Sequence, residues 1–379
     1  MATLNPLFLS PFKSSSKKYV YSFAGLAATA VFAVAYNENE KRSYQYKFNN
    51  NYSNNNNSNN SNNGSSNLFK AGFFGFGAAS SPIISNWLAT ETTHTFNDYQ
   101  KIYNQIATKI QEEDEWDGGI GYGPVLVRLA WHLSGSYDKD DYSGTKGGSY
   151  GGTMRHKYEA KDAGNNGLVH ARSFLNKIKQ DNPFISTGDL YTLAGIVAIQ
   201  EMNGPKIGWR AGRKDLPPKN QPPHGRLPNA TQGAEHVRAV FNRMGFNDEE
   251  MVALIGVGHA IGRCHKENSG FTGPWTFSPN MVTNEFFKLI LNERWEIKQH
   301  YDGNTQFEDS KTHSLMMLPT DMALIFDPNF KKISEIYSKN ENLLFKDFAN
   351  AFKKLLELGI EFPKDTPTWY FKTLDEQDD

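Results

Sequence analysis

Residues 127–132 read Val-Arg-Leu-Ala-Trp-His, and residues 258–265 read Gly-His-Ala-Ile-Gly-Arg-Cys-His, with Gly-Pro-Trp following at 273–275. These stretches decide how the chain is read. Arg128 and His132 are four apart, so on a helix they share a face, and Trp131 flanks it. His259 and His265 lie in a second segment with helical spacing, with Gly256, Gly258 and Gly262 close by. Glycines of this kind let a backbone approach a flat group.

Around these segments the apolar spacing is mostly helical. Tyr99, Ile102, Tyr103, Ile106 and Ile110 repeat at three and four. Val125 to Leu133 is a second helix, with Pro124 suited to its first turn. Leu190 to Glu201 follows Ser186-Thr187-Gly188-Asp189, where Asp189 is the N-cap candidate. Further helices are predicted over 237–244, 248–256 and 284–293. The strongest pattern is at 345–358, with Phe348, Phe352, Leu355 and Leu356 on one face. Long Gly- and Pro-rich connections occupy 134–153 and 203–229. Strand alternation is rare, so the body is predicted to be mainly α with minor β, beginning near Thr92.

The chain has 379 residues and a formal net charge of −1. Residues 1–90 hold seven Lys/Arg against two Asp/Glu, which leaves 33 against 39 in the remainder. A moderately acidic body speaks against nucleic acid and suits a basic protein partner. A single cysteine, Cys264, excludes an intrachain disulfide framework. It reads as a small buried helix residue rather than a reactive thiol.

Lys13, Lys17 and Lys18 precede an apolar run over 19–36, and no acid occurs before residue 38. Two readings stand: a secretory signal, or a mitochondrial presequence (residues 1–47) carrying an apolar sorting segment that is either cleaved or kept as an inner-membrane anchor. The lack of disulfide chemistry favours the second. Residues 48–91 are an Asn/Ser-rich linker too poor in apolar residues to offset its chain entropy.

The chemistry of the two motifs is specific. Cleaving a peroxide needs a base that takes a proton from one oxygen and returns it to the other, which suits His132. It also needs a fixed cation for the charge that grows as the bond breaks, which suits Arg128. A neutral imidazole such as His259 can hold haem iron, and such a ligand usually donates its other N–H to a carboxylate, for which Asp321 is the candidate. A zinc site of the protease type is disfavoured by the spacing and by the absence of a cysteine pair.

With those residues stated, the chain resembles the intracellular haem peroxidases, most closely the mitochondrial branch that takes electrons from cytochrome c. The resemblance spans roughly residues 92–377. It rests on Gly-Pro-Val-Leu-Val-Arg-Leu-Ala-Trp-His (123–132), Gly-Gly-Ser-Tyr-Gly-Gly-Thr (147–153), Ser-Gly-Phe-Thr-Gly-Pro-Trp (269–275) and Met-Met-Leu-Pro-Thr-Asp (316–321). It implies a two-domain helical fold, with one haem b between a distal domain (92–227 plus 352–379) and a proximal domain (228–351). His132 is implied to be the distal acid–base, Arg128 its electrostatic partner and Trp131 the distal cover. Asn165 is implied to hold His132, with Glu159 behind it. His259 is implied to ligate the iron and Asp321 to be its carboxylate. Trp275 is implied to carry an oxidising equivalent as a radical beside an oxyferryl haem, Met316 and Met317 to line that pocket, and His265 to meet a haem propionate.

The resemblance also implies hydrogen peroxide as substrate, a monomer, and cytochrome c docked on Asp114, Glu115, Asp117 and Asp375. Electrons then enter through the segment after Trp275, here Thr276-Phe277-Ser278. Ascorbate-using relatives carry Phe at position 131, Arg at 268 and Cys at 122, where this chain has Trp131, Asn268 and Tyr122. Their cation site uses Thr and Asp where this chain has Ala260 and Thr283, so no structural cation is expected there. An ascorbate or mixed-donor peroxidase and a haem-based peroxide sensor are the alternatives. Two departures are noted. One extra residue before His259 is expected to bulge its helix, and an extra segment near 142–146 lengthens the loop after the distal helix.

Overall fold

The protein is described here from a computed structural model, which covers residues 87–91 and 93–377. The apolar run at 19–36 and the Asn/Ser-rich tract lie outside the described residues. Among those described, no helix is long and apolar enough to cross a membrane.

The body is mainly α. Its longer helices are α1 (Phe96–Glu112), α2 (Gly123–Ser134), α3 (Val169–Asp181), α4 (Thr187–Glu201), α5 (Ala234–Met244), α6 (Asp248–Ala260), α7 (Glu285–Asn292), α8 (Pro319–Phe326), α9 (Pro328–Lys339) and α10 (Glu341–Leu356). Strands are short: β1 (Trp87–Leu88), β2 (Arg263–Cys264), β3 (Gly273–Pro274), β4 (Trp295–Ile297), β5 (Phe307–Asp309), β6 (Met316–Met317) and β7 (Ile360–Glu361). β2 pairs antiparallel with β3, and β4-β5-β6 form an antiparallel sheet.

Local chemistry explains the helix starts. At α1, the Thr95 N–H donates to Asp98 Oδ2 at 2.8 Å. α2 has proline in its first turn. α6 opens on a capping box in which Asn247 Oδ1 accepts from the Glu250 N–H at 2.9 Å and Glu250 Oε2 accepts from the Asn247 N–H at 2.9 Å. Asp248, Glu249 and Glu250 then place negative charge where the helix dipole favours it. At α4 the cap is Ser186, whose hydroxyl oxygen accepts from the Asp189 N–H at 3.0 Å. Asp189, the expected cap, is instead fully inside the fold and pairs with Arg213.

Two central helices organise the packing. α4 is buried from Thr187 to Gln200 and packs most extensively against α2. A helix apolar on every side belongs in an interior. α6 is buried from Met251 to Val257 and is flanked by α10, α9 and α7. α10 also touches α2. The expected domain boundary between 351 and 352 falls inside α10, so the chain passes that point in mid-helix. α6 is a single α-helix over Asp248–Ala260, and the expected bulge before His259 is not found.

The ordered body begins earlier than Thr92. Trp87 and Leu88 pair in parallel with Ile360 and Glu361, and Trp87 stacks on Tyr150 with centroids 5.2 Å apart. Cys264 lies on β2 rather than on a helix.

One buried ion pair ties distant segments. Arg213 Nη1 donates to Asp189 Oδ1 at 2.9 Å, its Nε to Ser149 Oγ at 2.9 Å and its Nη2 to the Leu356 carbonyl at 2.7 Å. The pair therefore links the start of α4, the 149–151 turn and the C-terminal end of α10. Breaking such a pair from one side leaves an uncompensated buried charge, which costs about 3–5 kcal/mol. Arg213→Met is expected to lower the urea midpoint accordingly, while Asp189→Asn with Arg213→Met together recovers part of the loss.

Candidate active site

α2 presents Arg128, Trp131 and His132 on a half-open face, while Leu126, Leu129, Ala130 and Leu133 between them are fully buried. His132 Nδ1 lies 3.0 Å from Asn165 Oδ1. The amide oxygen only accepts, so Nδ1 carries the proton and Nε2 is left as the base. Asn165 Nδ2 donates in turn to the backbone carbonyl of Glu159 at 2.9 Å. Glu159 thus stands behind Asn165 through its main chain. Its own carboxyl is buried, and burial pushes its pKa up to about 7.

Arg128 donates to the carbonyls of Gly164 (2.7 Å) and Asn166 (2.9 Å). These acceptors were not legible in the motif. They anchor the guanidinium to the same loop that carries Asn165. Burial lowers the Arg128 pKa to about 10, which still leaves it charged at neutral pH. Burial, then the Arg128 charge, holds His132 well below the ordinary imidazole range. A neutral imidazole beside a fixed cation is the state a proton acceptor requires. Trp131 stacks on Phe241, with centroids 5.5 Å apart and planes 9° apart. Its ring also covers Gly135, where a Cβ would come within 2.7 Å of the indole.

On the other side, one carboxylate organises three groups. Asp321 is fully buried in the first turn of α8. Its Oδ1 accepts from His259 Nδ1 at 2.7 Å, and its Oδ2 accepts from Trp275 Nε1 and from the Leu318 N–H, at 2.8 and 2.7 Å. His259 and Trp275 stack with centroids 4.5 Å apart and planes 10° apart. His259 sits in the last turn of α6, and with Nδ1 committed its Nε2 is the free ligand atom. Met316 and Met317 are buried on β6, and Met316 lies beside Gly273, two residues before Trp275.

The three glycines of the second motif have different partners. A Cβ on Gly256 would strike the Phe287 ring at 2.0 Å, so this glycine makes room for α7. Gly262 has φ +75° and abuts Pro124 of α2. Gly258 alone faces open space. His259 is part-exposed next to it, directly after the buried stretch from Met251 to Val257. The residues therefore fit a flat, iron-bearing group. His259 Nε2 offers the iron a neutral nitrogen, Gly258 leaves room, and α2 presents a polar face with an imidazole and a guanidinium.

His265, expected to meet a propionate, donates through Nε2 to Asp117 Oδ1 at 2.7 Å. Asp117 has φ +55° in the turn after α1 and is largely shielded, so the structure joins it to His265 and not to the exposed acids around it. Of the other expected docking residues, Asp114, Glu115 and Asp375 are exposed. Trp275 is buried, whereas Phe277 is 58% exposed and Ser278 half-buried. Thr276 Oγ1 donates to the Ala260 carbonyl at 2.7 Å, tying this segment to the end of α6. Burial pushes the Cys264 thiol up to about 12, which disfavours the thiolate at neutral pH.

The peroxidase family pattern matches residues 102–340, and the chain belongs to the peroxidase family. Relatives named "Cytochrome c peroxidase, mitochondrial" align with most of it. That of Yarrowia lipolytica is 60% identical over 282 residues, 73% of this chain and 81% of its own. That of Candida glabrata is 51% identical over 309 residues, 82% and 84% of the two chains. That of Candida albicans is 47% identical over 385 aligned positions, the whole of both chains. Membership implies a haem cofactor.

The pKa of His132 gives a signed prediction. Because it is lowered, His132 stays neutral as pH falls through 6.5, and the haem-loaded enzyme keeps its full rate with peroxide until the medium is more acid. Arg128→Leu removes one lowering influence. In a stopped-flow pH profile its acid limb should shift toward neutral pH, on top of a lower plateau. A limb that stays put or moves further into acid contradicts the electrostatic reading.

Proposed function

We propose that the chain reduces hydrogen peroxide to water with electrons from ferrocytochrome c. One peroxide, two protons and two ferrocytochrome c molecules give two waters and two ferricytochrome c molecules. The observation that carries this reading is the Asp321 carboxylate shared by His259 and the stacked Trp275. It places an oxidisable indole against the candidate iron ligand. The names of the relatives support the donor.

Haem b would be held through His259 and would supply the redox-active iron centre for peroxide reduction. His132 Nε2 accepts the proton of the near peroxide oxygen and delivers it to the far one, which leaves as water. Asn165 fixes the imidazole tautomer for that transfer. Arg128 stabilises the charge on the departing oxygen. Asp321 strengthens His259 as a donor. It also sets a negative charge on the Trp275 N–H, which favours the oxidised indole. Met316 and Met317 seal that pocket from water.

The exposed Asp114, Glu115 and Asp375 are the proposed docking acids for a basic cytochrome, with Phe277 and Ser278 at the point of electron entry. We assign the protein to mitochondria, as a monomer, with residues 1–47 as its targeting region. The relatives' names carry the same compartment.

Trp275→Phe tests the reading. It preserves the ring stack and loses the indole. The variant is expected to react with peroxide at close to the parent rate and to lose turnover with cytochrome c; unchanged turnover refutes the role given to Trp275. Rates with ascorbate on the same preparation separate the donor from the alternatives. Reversing Asp114 and Glu115 to Lys is expected to raise KM for cytochrome c by about tenfold at low ionic strength. The difference should fade as salt screens it.

A further inference from the structure

On the outer face of the β4–β5–β6 sheet, well separated in sequence from both motifs, three side chains converge. Glu296 on β4 and Glu308 on β5 are direct cross-strand partners. Two carboxylates in that relation repel each other. His313, in the turn between β5 and β6, projects its imidazole over them. Its Nδ1 is 3.3 Å from Glu308 Oε1 and 4.0 Å from Glu296 Oε1, and the three donor atoms all lie within 4.8 Å of one another.

The imidazole is held there by its backbone. Buried Asp309 accepts the N–H groups of Thr312, Ser314 and Leu315, and the His313 N–H donates to the Asp309 carbonyl at 3.1 Å. His313 itself takes φ +55°, a conformation that favours glycine or asparagine. The turn therefore aims the ring over the sheet, where Nδ1 meets Glu308 Oε1. Lys298 bonds the other oxygen of Glu308, Oε2, so Oε1 is left to face His313 Nδ1, and a metal would displace the proton held between these two atoms.

We propose that Glu296, Glu308 and His313 form a binding site for a divalent transition-metal ion, with Zn2+ as the ion the donors fit best. One imidazole nitrogen and two carboxylate oxygens are the donor types zinc accepts, and the carboxylates offset its charge, Glu308 sharing its own with Lys298. At zinc bond lengths near 2.0–2.2 Å, tetrahedral donors stand about 3.3 Å apart. The His313–Glu308 spacing already meets this. Glu296, with a 36% exposed side chain, needs only a small rotation to close the other gap. Water completes the fourth position. The stretch expected to lack a cation, around Ala260 and Thr283, is a different place. The ion would clamp the 310–315 turn onto the sheet whose third strand carries Met316 and Met317. The proposal is independent of the assigned reaction.

The test is calorimetric titration of the tag-free, haem-loaded enzyme with Zn2+ after chelator treatment. One saturable equivalent and a raised Tm are expected for the parent. His313→Asn retains the left-handed turn and removes the ligand. It and Glu296→Gln should each weaken that equivalent by at least about tenfold, the loss that removing even an outer partner of a metal ligand produces. The Soret spectrum, which reports folding around His259, should stay unchanged in both. Absence of a saturable equivalent in the parent overturns the site. So does parent-like binding by His313→Asn, and so does equal binding of Mg2+, which would show that the imidazole takes no part.

Discussion

The site depends on the Asp321 carboxylate. Burying an anion is costly unless its oxygens are filled, and here three N–H groups fill them: an imidazole, an indole and a backbone amide. Its place in the first turn of α8 adds the favourable end of a helix dipole. Because one rigid group orients both His259 and Trp275, ligand geometry and indole geometry are not independent. A substitution at Asp321 disturbs both at once, whereas one at Trp275 leaves the His259 bond in place.

The two histidines show how a second partner sets a role. His259 leans on an anion, which increases its strength as a donor to a metal. His132 leans on the neutral amide of Asn165, while burial and the Arg128 guanidinium hold its pKa down. An anion behind His132 would have favoured the imidazolium and removed the base. Arg128 and Asn165 share one loop, since Arg128 is bonded to Gly164 and Asn166 on either side of Asn165. Cation and tautomer are therefore positioned by the same few residues.

Much of this was legible in the chain, for a physical reason. The periodicity of α1, α2 and α10 is strong because each buries one stripe, and Arg128, Trp131 and His132 lie four residues or fewer apart on one helix. Asp321 was readable as a candidate carboxylate for His259 but nothing local tied the two together, since they are 62 residues apart. What escaped notice was mostly non-local or very short. β1 and β7 have two residues each, too few for alternation to show, so their pairing carries no local signal. Helices α3, α8 and α9 were not picked out. At α4, Ser186 and Asp189 are both good caps, and the buried Arg213 settles the competition by taking Asp189 inside. The Asp117–His265 bond joins residues 148 apart, and neither local pattern hints at it. The extra residue before His259 was expected to bulge α6, yet the helix is regular. Two of the three motif glycines serve Phe287 and Pro124 and not the cofactor face.

The shortest way out of the proximal pocket follows from the same geometry. Trp275 is 7% exposed and Phe277 58% exposed, so the chain passes from interior to surface in two residues. Thr276 between them is buried, and its hydroxyl is bonded to the Ala260 carbonyl at the end of α6. The segment that surfaces beside Trp275 is thus pinned to the helix that carries His259. Under the proposed docking, Phe277 is a surface already tied to the indole's segment through that bond. The large exposed ring at 277 then has a physical reason for being outside. It offers apolar area two residues along the chain from the buried indole, at the point of electron entry proposed above, with the proposed docking acids elsewhere on the surface.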